Sequence, residues 1–132
     1  MSQIIEIPCV QSDGRKESEF SKKQYQLTGS SERCLSDQIQ VENFRLRSSD
    51  SSYTSDWHVA GDPTLLVVLT GIVKIVLRSG DYLQFSAGQM FVAEDFLEGD
   101  VQFDNQRHGH RAEVVGDEEL RVLHLKLSVK DL

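Results

Sequence analysis

Apolar and polar residues alternate along much of this chain with a period of two, the period of a half-buried β-strand. The alternation is clearest over residues 38–47, 72–77 and 120–127. Residues Leu65–Leu69 are apolar at every position, which indicates a strand buried on both of its faces. No stretch longer than one turn has the 3.6-residue period of a helix. The pattern therefore predicts an all-β protein.

Short polar turns, most of them with glycine, separate the remaining predicted strands, at residues 4–10, 20–27, 82–85, 90–93 and 111–115. Short strands at this spacing are typical of two-sheet sandwiches and barrels. In the strand near residue 40, Ile39 and Val41 share one face, whereas Phe44 and Leu46 share the other. A β-bulge near Glu42–Asn43 would explain this change of phase.

A chain of 132 residues with 39% hydrophobic and 27% charged residues is expected to form a single domain. We assign residues 1–55 to N-terminal strands and a loop, and residues 56–127 to the core. The net charge is −7 and the one basic cluster, at residues 107–111, is small, so phosphate backbones should be repelled. The longest apolar run is far shorter than the ~20 residues of a membrane span. We expect neither nucleic acid nor a membrane as partner.

Cys9 and Cys34 form no CxxC pair and are too few for a disulfide framework, so we expect reduced thiols. The first residues have no basic leader and no small-residue cleavage pattern, so they do not resemble a signal peptide. Both features indicate a cytoplasmic protein.

The spacing of His58, Gly71, Gly88 and His110 resembles that of the cupins, a superfamily of jelly-roll β-barrels, also called double-stranded β-helices. The surrounding letters, WHVA, then an apolar strand ending at a glycine, then ED and GHR, are similar to those of small single-domain bacterial cupins. The resemblance covers about residues 56–127 and implies the same fold. It does not define a reaction.

The first cupin motif is G(X)5HXH(X)3-4E(X)6G. With its last glycine at Gly71, its first histidine falls on His58, its second on Ala60 and its glutamate on Thr64. The family's three histidines and one glutamate hold a divalent metal, so this motif retains one of three ligands.

The second motif, G(X)5PXG(X)2H(X)3N, is anchored at Gly88 and reaches His110 after an insertion. Strand alternation places His110 on the face of Ala112 and Val114, which is the inward one, with His108 on the same side nearer the rim. His124, opposite the leucines of its own strand, is expected at the surface.

The resemblance thus leaves His58 and His110 as metal ligands, and two imidazoles alone make a weak site. Glu94 or Asp95 could complete a 2-His-1-carboxylate set for Fe, Mn, Ni or Zn. The cofactor is therefore unknown, with one divalent transition metal as an open alternative.

Three functions remain open. In the first, His58, Glu94, Asp95 and His110 bind a small polar organic ligand inside the barrel, with weak or absent metal binding. In the second, the protein is a metal-dependent oxygenase or isomerase, or a metal-free isomerase or epimerase that uses His58 or His110 as general base. The sequence identifies no catalytic residue.

In the third, the protein is structural and has no ligand, and Leu65, Val67 and Phe91 fill the cavity. The insertion at residues 96–109 lacks a calcium-loop spacing and is expected to form a hairpin or a lid over the barrel mouth, with Phe96, Val101 and Phe103 as covering residues. By analogy with the fold, we expect a homodimer formed through edge strands.

Overall fold

The computed structural model describes residues 2–128, in which all regular secondary structure is β. The strands are β1 (Ser2–Ser12), β2 (Ser18–Gly29), β3 (Cys34–Leu35), β4 (Val41–Ser49), β5 (Thr64–Thr70), β6 (Ile72–Val76), β7 (Tyr82–Ser86), β8 (Met90–Ala93), β9 (Arg111–Val115) and β10 (Leu120–Leu127). Within these residues no helix is long and apolar enough to span a bilayer. The all-β prediction is confirmed.

The strands form two sheets. The larger one has the order β3-β2-β1-β8-β5-β10-β4, and the smaller one has the order β7-β6-β9. Two further bridges, Thr54 to Glu113 and His58 to His110, place residues 54–58 beside β9. We call residues 54–58 the edge segment.

Eight of these elements follow the strand order of a jelly roll. One sheet contains β4, β10, β5 and β8 side by side, and the other contains the edge segment, β9, β6 and β7. In chain order these are the first, eighth, third and sixth elements facing the second, seventh, fourth and fifth, which is the double-sheet arrangement of jelly rolls. The predicted jelly-roll fold is confirmed.

The N-terminal hairpin, formed by β1 and β2, extends the larger sheet. It joins through a short parallel pairing of β1 with β8, at Cys9 to Val92 and Val10 to Ala93. Val10 belongs to the same buried cluster as the residues between the two sheets. The hairpin is therefore part of the domain core.

The predicted bulge is present in β4. Lys126 of β10 pairs with Asn43, and the next residue, Leu127, pairs with Val41, so that Glu42 is the extra residue. Because the bulge resets the phase, Val41, Phe44 and Leu46 all lie on the same face of the sheet.

That face is the outer one. Phe44 pairs with Leu125 and Leu46 pairs with Leu123, so the leucines of β10 also face outward. His124, which lies between Leu123 and Leu125, faces the space between the sheets. The prediction of a surface position for His124 was wrong, because the apolar face of its strand is not the one that faces the core.

Residues Leu65–Leu69 are not buried on both faces, as the sequence had suggested. Val68 points into the core and is almost fully buried, whereas Leu69 is exposed. Leu65 and Val67 pair with Leu125 and Leu123 and share their outer face. The strand is apolar throughout because both faces of the larger sheet are apolar here.

Candidate functional site

The site is built around two histidines whose backbones pair directly. The His58 amide donates to the His110 carbonyl at 2.9 Å, and the His110 amide donates to the His58 carbonyl at 2.8 Å. Their ring centroids lie 4.6 Å apart. Gly109 makes this approach possible: it has a φ of 86°, and a Cβ there would lie 2.5 Å from the His58 carbonyl oxygen.

Asp95 holds the His110 ring from behind. Its Oδ2 accepts hydrogen bonds from His110 Nδ1 at 2.7 Å and from Ser18 Oγ at 2.6 Å, and its Oδ1 accepts one from the Ala60 amide at 2.9 Å. Asp95 is 0% exposed. Burial opposes its ionisation, but these hydrogen bonds outweigh burial and keep the pKa of Asp95 below its ordinary value.

These contacts determine the tautomer of both rings. His58 Nδ1 lies 2.9 Å from the Asp56 carbonyl oxygen, which can only accept. Each Nδ1 therefore carries the proton, and each Nε2 is an acceptor when its ring is neutral. Burial lowers the pKa of His58, although part of its side chain is exposed at the rim, and the neighbouring His110 and Arg47 lower it further.

Both histidines line a cavity of about 240 Å³ between the sheets. Ala112 lines it as well, so the predicted inward direction of His110 is confirmed. The apolar part of the wall includes Ala60, Leu66, Val73, Ile75, Phe91 and Val122. The cavity thus has an apolar body and a polar end.

The polar end contains residues that the motif comparison missed. Arg47, Ser49, Tyr53 and His124 line the cavity beside His58. Arg47 Nε donates to Ser49 Oγ at 3.2 Å, and the guanidinium lies 4.7 Å from the centre of the Tyr53 ring. Burial, followed by Arg47 and Arg45, lowers the pKa of His124. The signal in the sequence was the alternation of Arg45, Arg47 and Ser49 with the apolar residues of β4.

An adjoining groove shares Thr64 and His124 with the cavity and adds Arg45 and Lys126. Lys126 is paired with Asp62 at 2.8 Å. The rim near β4 thus has two arginines, Arg45 and Arg47, in a chain whose net charge is −7.

Glu94 does not line the cavity, contrary to expectation. Because Ala93 faces inward, alternation turns Glu94 toward the N-terminal hairpin, where its carboxylate accepts hydrogen bonds from Cys9 Sγ and Lys23 Nζ, both at 3.1 Å. Burial and the neighbouring Glu94 raise the pKa of the Cys9 thiol to about 12. Asp95 reaches the site only through His110. Neither cysteine forms a disulfide.

The insertion does not cover the cavity either, since none of Phe96, Val101 and Phe103 is among the described residues of its wall. Side chains hold the insertion against the turn of the N-terminal hairpin instead. Glu98 pairs with Lys16 at 3.3 Å, and Arg107 donates to a carbonyl of the same turn. His108, expected near the rim, is buried within the insertion, where its Nδ1 accepts from the Asp104 amide.

Leu65 and Val67, expected to fill the cavity if the protein had no ligand, lie on the outer face of the larger sheet. Phe91 does line the cavity, and it stacks on Phe85 with ring centroids 4.4 Å apart. Phe91 therefore forms part of the cavity wall, and the three residues do not fill the cavity.

The donors of this cavity meet only part of what a divalent metal requires. Two imidazoles held by Nδ1, with Nε2 available, are oriented as metal ligands often are. However, both oxygens of Asp95 are engaged, Glu94 faces the other way, and the cationic Arg47 lies in the same cavity. Among residues 2–128 no group of three or more His, Cys, Asp or Glu side chains could hold a metal ion. The described residues do not fit the metal that the resemblance implies.

No protein-family model matches the sequence, and no curated protein matches it. Solved structures similar to this chain include a cupin-2 domain-containing protein from Shewanella frigidimarina, at 16% identity and a TM-score of 0.43, over 70% of this chain and 81% of that one. The Cnp3 cupin domain of Schizosaccharomyces pombe is 11% identical at a TM-score of 0.43, over 92% and 87%. A putative ethanolamine utilization protein from Salmonella typhimurium is 10% identical at a TM-score of 0.37, over 95% and 97%.

The solved structures similar to this chain thus include cupin domains, the family that the sequence motifs resemble. At these values the likeness concerns the fold alone, and the jelly-roll assignment rests on the strand order described above.

Proposed function

We propose that this protein binds a small organic anion in the cavity between its two sheets. The observation that carries the proposal is the position of Arg47 at the polar end of an otherwise apolar cavity. An arginine remains protonated at any physiological pH. An anionic group beside it would gain a charge-assisted hydrogen bond, while an apolar body would contact the opposite wall.

A carboxylate suits this end of the cavity best. The Nε of Arg47 is committed to Ser49, so its terminal nitrogens are the ones that would receive a ligand. The acidic group nearest the site, Asp95, is buried behind His110 and does not line the cavity. The wall is therefore cationic although the chain as a whole is anionic.

The cavity volume limits the size of the ligand. About 240 Å³ equals the volume of roughly eight water molecules at ~30 Å³ each. Pockets for drug-sized ligands begin at about 300 Å³. The expected ligand is a monocarboxylate with a short apolar or aromatic body.

Binding is tested by titrating the isotope-labelled full chain with benzoate and hexanoate, each beside its uncharged primary amide. We expect carboxylates to shift the NMR signals of His58 and His124 and to bind about tenfold more tightly than the amides, since a hydrogen bond to a charged group is worth about 1.5–3 kcal/mol. Arg47→Gln should remove this preference. Arg121→Gln, which changes an exposed arginine of β10, is the matched control. Equal binding of acids and amides would contradict the proposal.

Binding in this proposal needs no metal, because His58, His110 and the third cavity histidine, His124, are not grouped among the described residues in a way that could hold a metal ion. Metal analysis of protein purified without chelator tests this point. Stoichiometric Fe, Mn, Ni or Zn that is lost in both His58→Gln and His110→Gln would overturn it.

A second candidate function is proton transfer, and the Asp95–His110 pair is the observation that favours it. A carboxylate that fixes an imidazole by Nδ1 leaves Nε2 directed to act as a general base. Arg47 would hold the ligand's carboxylate while His110 removes a proton from the adjacent carbon, as an isomerase or epimerase requires.

This activity is tested in deuterium oxide. Hexanoate, which unlike benzoate has C–H bonds on the carbon next to its carboxylate, is incubated with the protein, and its C–H signals are followed by NMR. Deuterium should enter the position next to the carboxylate with the wild type and not with His110→Gln. Binding without any exchange would leave the protein a binding protein.

We also propose a cytoplasmic location, which Cys9 supports, since its buried thiol donates to Glu94 and forms no disulfide. Fractionation of producing cells tests it, and recovery outside the cytoplasm would count against it.

A further inference from the structure

The cavity continues into the adjoining groove on the inner face of the larger sheet. The groove has a volume of about 280 Å³ and shares Ala60, Thr64 and His124 with the cavity. A ligand whose body lies in the cavity can therefore extend a second group into the groove without crossing a wall.

Each of the two spaces has its own arginine. Arg47 lines the cavity and Arg45 lines the groove. The two residues share a face of β4, and their Cα atoms are about 6–7 Å apart, since a strand rises about 3.3 Å per residue. Arg45 pairs across the strands with His124, the histidine that lines both spaces. Two cationic groups thus lie on either side of one imidazole.

The charges of these arginines are not offset within the protein. In the part of the chain that the structure describes, neither Arg45 nor Arg47 forms an ion pair with a carboxylate. The acid of the groove, Asp62, is held by Lys126 at 2.8 Å. The chain as a whole has a net charge of −7, so this local excess of positive charge would attract an anion with two negative groups.

We propose that the ligand of this protein is a dicarboxylate, with one carboxylate held by Arg47 in the cavity and the other by Arg45 in the groove. This ligand class rests on the proposed function, because Arg47 is the residue that holds the first carboxylate there. Carboxylates on neighbouring carbons, as in a substituted succinate, suit two arginines on one strand, since the flexible arginine side chains close the remaining distance. The substituent is then the short apolar body that the cavity wall contacts.

The gain from the second carboxylate is expected to be moderate. A hydrogen bond between two charged groups is stronger than one between neutral groups. Arg45 is exposed, however, so water and salt screen its charge. We expect the second carboxylate to tighten binding about tenfold, near the lower limit for a hydrogen bond to a charged group.

The test is a calorimetric titration of the full chain at neutral pH with three matched compounds. Propylsuccinate is hexanoate that carries a second carboxylate on its third carbon, and in its mono-amide an uncharged amide replaces that second carboxylate. Propylsuccinate should bind about tenfold more tightly than hexanoate or the mono-amide. Arg45→Gln should remove this advantage and leave the affinity for hexanoate unchanged. Arg47→Gln should weaken the binding of all three compounds.

Two further variants separate the charge of Arg45 from other effects. Arg45→Lys keeps the charge and should keep part of the advantage of propylsuccinate. Arg121→Gln removes an exposed arginine elsewhere on the chain and should leave the advantage intact. Fluorescence of Trp57, the single tryptophan, reports the fold of every variant.

The three compounds also distinguish the failure of this proposal from that of the proposed function. Equal affinities for propylsuccinate and its mono-amide would overturn the dicarboxylate, whereas hexanoate that binds more tightly than its own amide would leave the proposed function standing. If hexanoate bound no better than its amide, both proposals would fail. An advantage of propylsuccinate that persists in Arg45→Gln, or that is lost equally in Arg121→Gln, would also overturn the role of the groove.

Discussion

At the scale of single residues, the site depends on Asp95. This carboxylate accepts hydrogen bonds from three elements: the N-terminal hairpin through Ser18, the chain before β5 through Ala60, and the segment before β9 through His110. Since all three donors converge on one buried group, its removal leaves each of them without an acceptor.

Asp95→Ala is therefore expected to lower the free energy of unfolding by about 3–5 kcal/mol, the usual cost of breaking a buried charged pair. Urea unfolding followed by Trp57 fluorescence measures this loss. Asp56→Ala, at an exposed carboxylate nearby, is the control and should change stability little. A loss below about 1 kcal/mol for Asp95→Ala would mean that water replaces its hydrogen bonds.

The stabilisation by Asp95 should depend on pH. Its pKa is lower in the folded protein than its ordinary value of 3.8, so the unfolded chain takes up the proton first as the pH falls. The contribution is complete above pH 3.8 and is lost as the pH falls through the lower, folded-state pKa. The stability difference between wild type and Asp95→Ala should accordingly be constant near neutral pH and shrink below pH 3.8.

Ligand binding should depend on pH through the cavity histidines. The pKa values of His58 and His124 lie below their ordinary 6.5, so both rings are neutral at neutral pH. A bound anion would favour their protonated forms. Affinity for benzoate should rise below pH 6.5, by about tenfold per unit of pKa shift, and His124→Gln should flatten the rise. Calorimetric titration at several pH values measures this, and affinity that falls with pH would contradict it.

At the scale of elements, β4 and β10 show what the sequence could and could not predict. The strands, the bulge at Glu42 and the inward turn of His110 follow from alternation, which is local. The direction of each face is not local, because it depends on which other sheet or chain each face meets. Assigning the leucines of β10 to the core placed His124 outside and left Arg47 unnoticed, and the structure reverses both.

The element that brings His58 and His110 together is the turn at Gly109. Gly109→Ala should cost more than 2 kcal/mol, since its Cβ would meet the His58 backbone in addition to the strain of a positive φ. It should also abolish ligand binding, because the two histidines would be pushed apart. Chemical denaturation and the NMR titration measure the two effects.

Gly88→Ala is the matched control. Gly88 has a φ of 89°, close to that of Gly109, but a Cβ there meets nothing within 4 Å. It should show only the conformational cost, about 1–2 kcal/mol, with binding unchanged. Equal effects on binding would mean that the proximity of Gly109 to His58 is not what positions the site.

At the scale of the whole molecule, the N-terminal hairpin and the jelly roll form one core. Sequence motifs covered only residues 56–127, and the first 55 residues carried no recognisable pattern beyond strands. The hairpin nevertheless contributes Val10 to the core and Ser18 to Asp95. Contacts between distant parts of the chain have no signature in local periodicity. The division of the chain at residue 55 follows the range that the motifs cover, and it stays a prediction.

Two equally buried valines test whether the hairpin and the jelly roll unfold as one unit. Val10 of the hairpin and Val68 of β5 are each 1% exposed. Val10→Ala and Val68→Ala should each cost about 2 kcal/mol, from two lost methyl groups and the space left behind. Both variants should unfold in one transition by calorimetry. A separate early transition in Val10→Ala would mean that the hairpin is an independently melting unit.

The paired backbones of His58 and His110 have a consequence for motion. Each amide proton is held by the other residue's carbonyl, so neither can exchange with solvent unless the edge segment parts from the chain leading into β9. The protection factors of these two amides should therefore be equal and should report how often the wall of the cavity opens. If a ligand enters by that opening, its arrival can be no faster than the opening itself, and the exchange of these two protons reports the opening rate under conditions where chemical exchange is faster than closing.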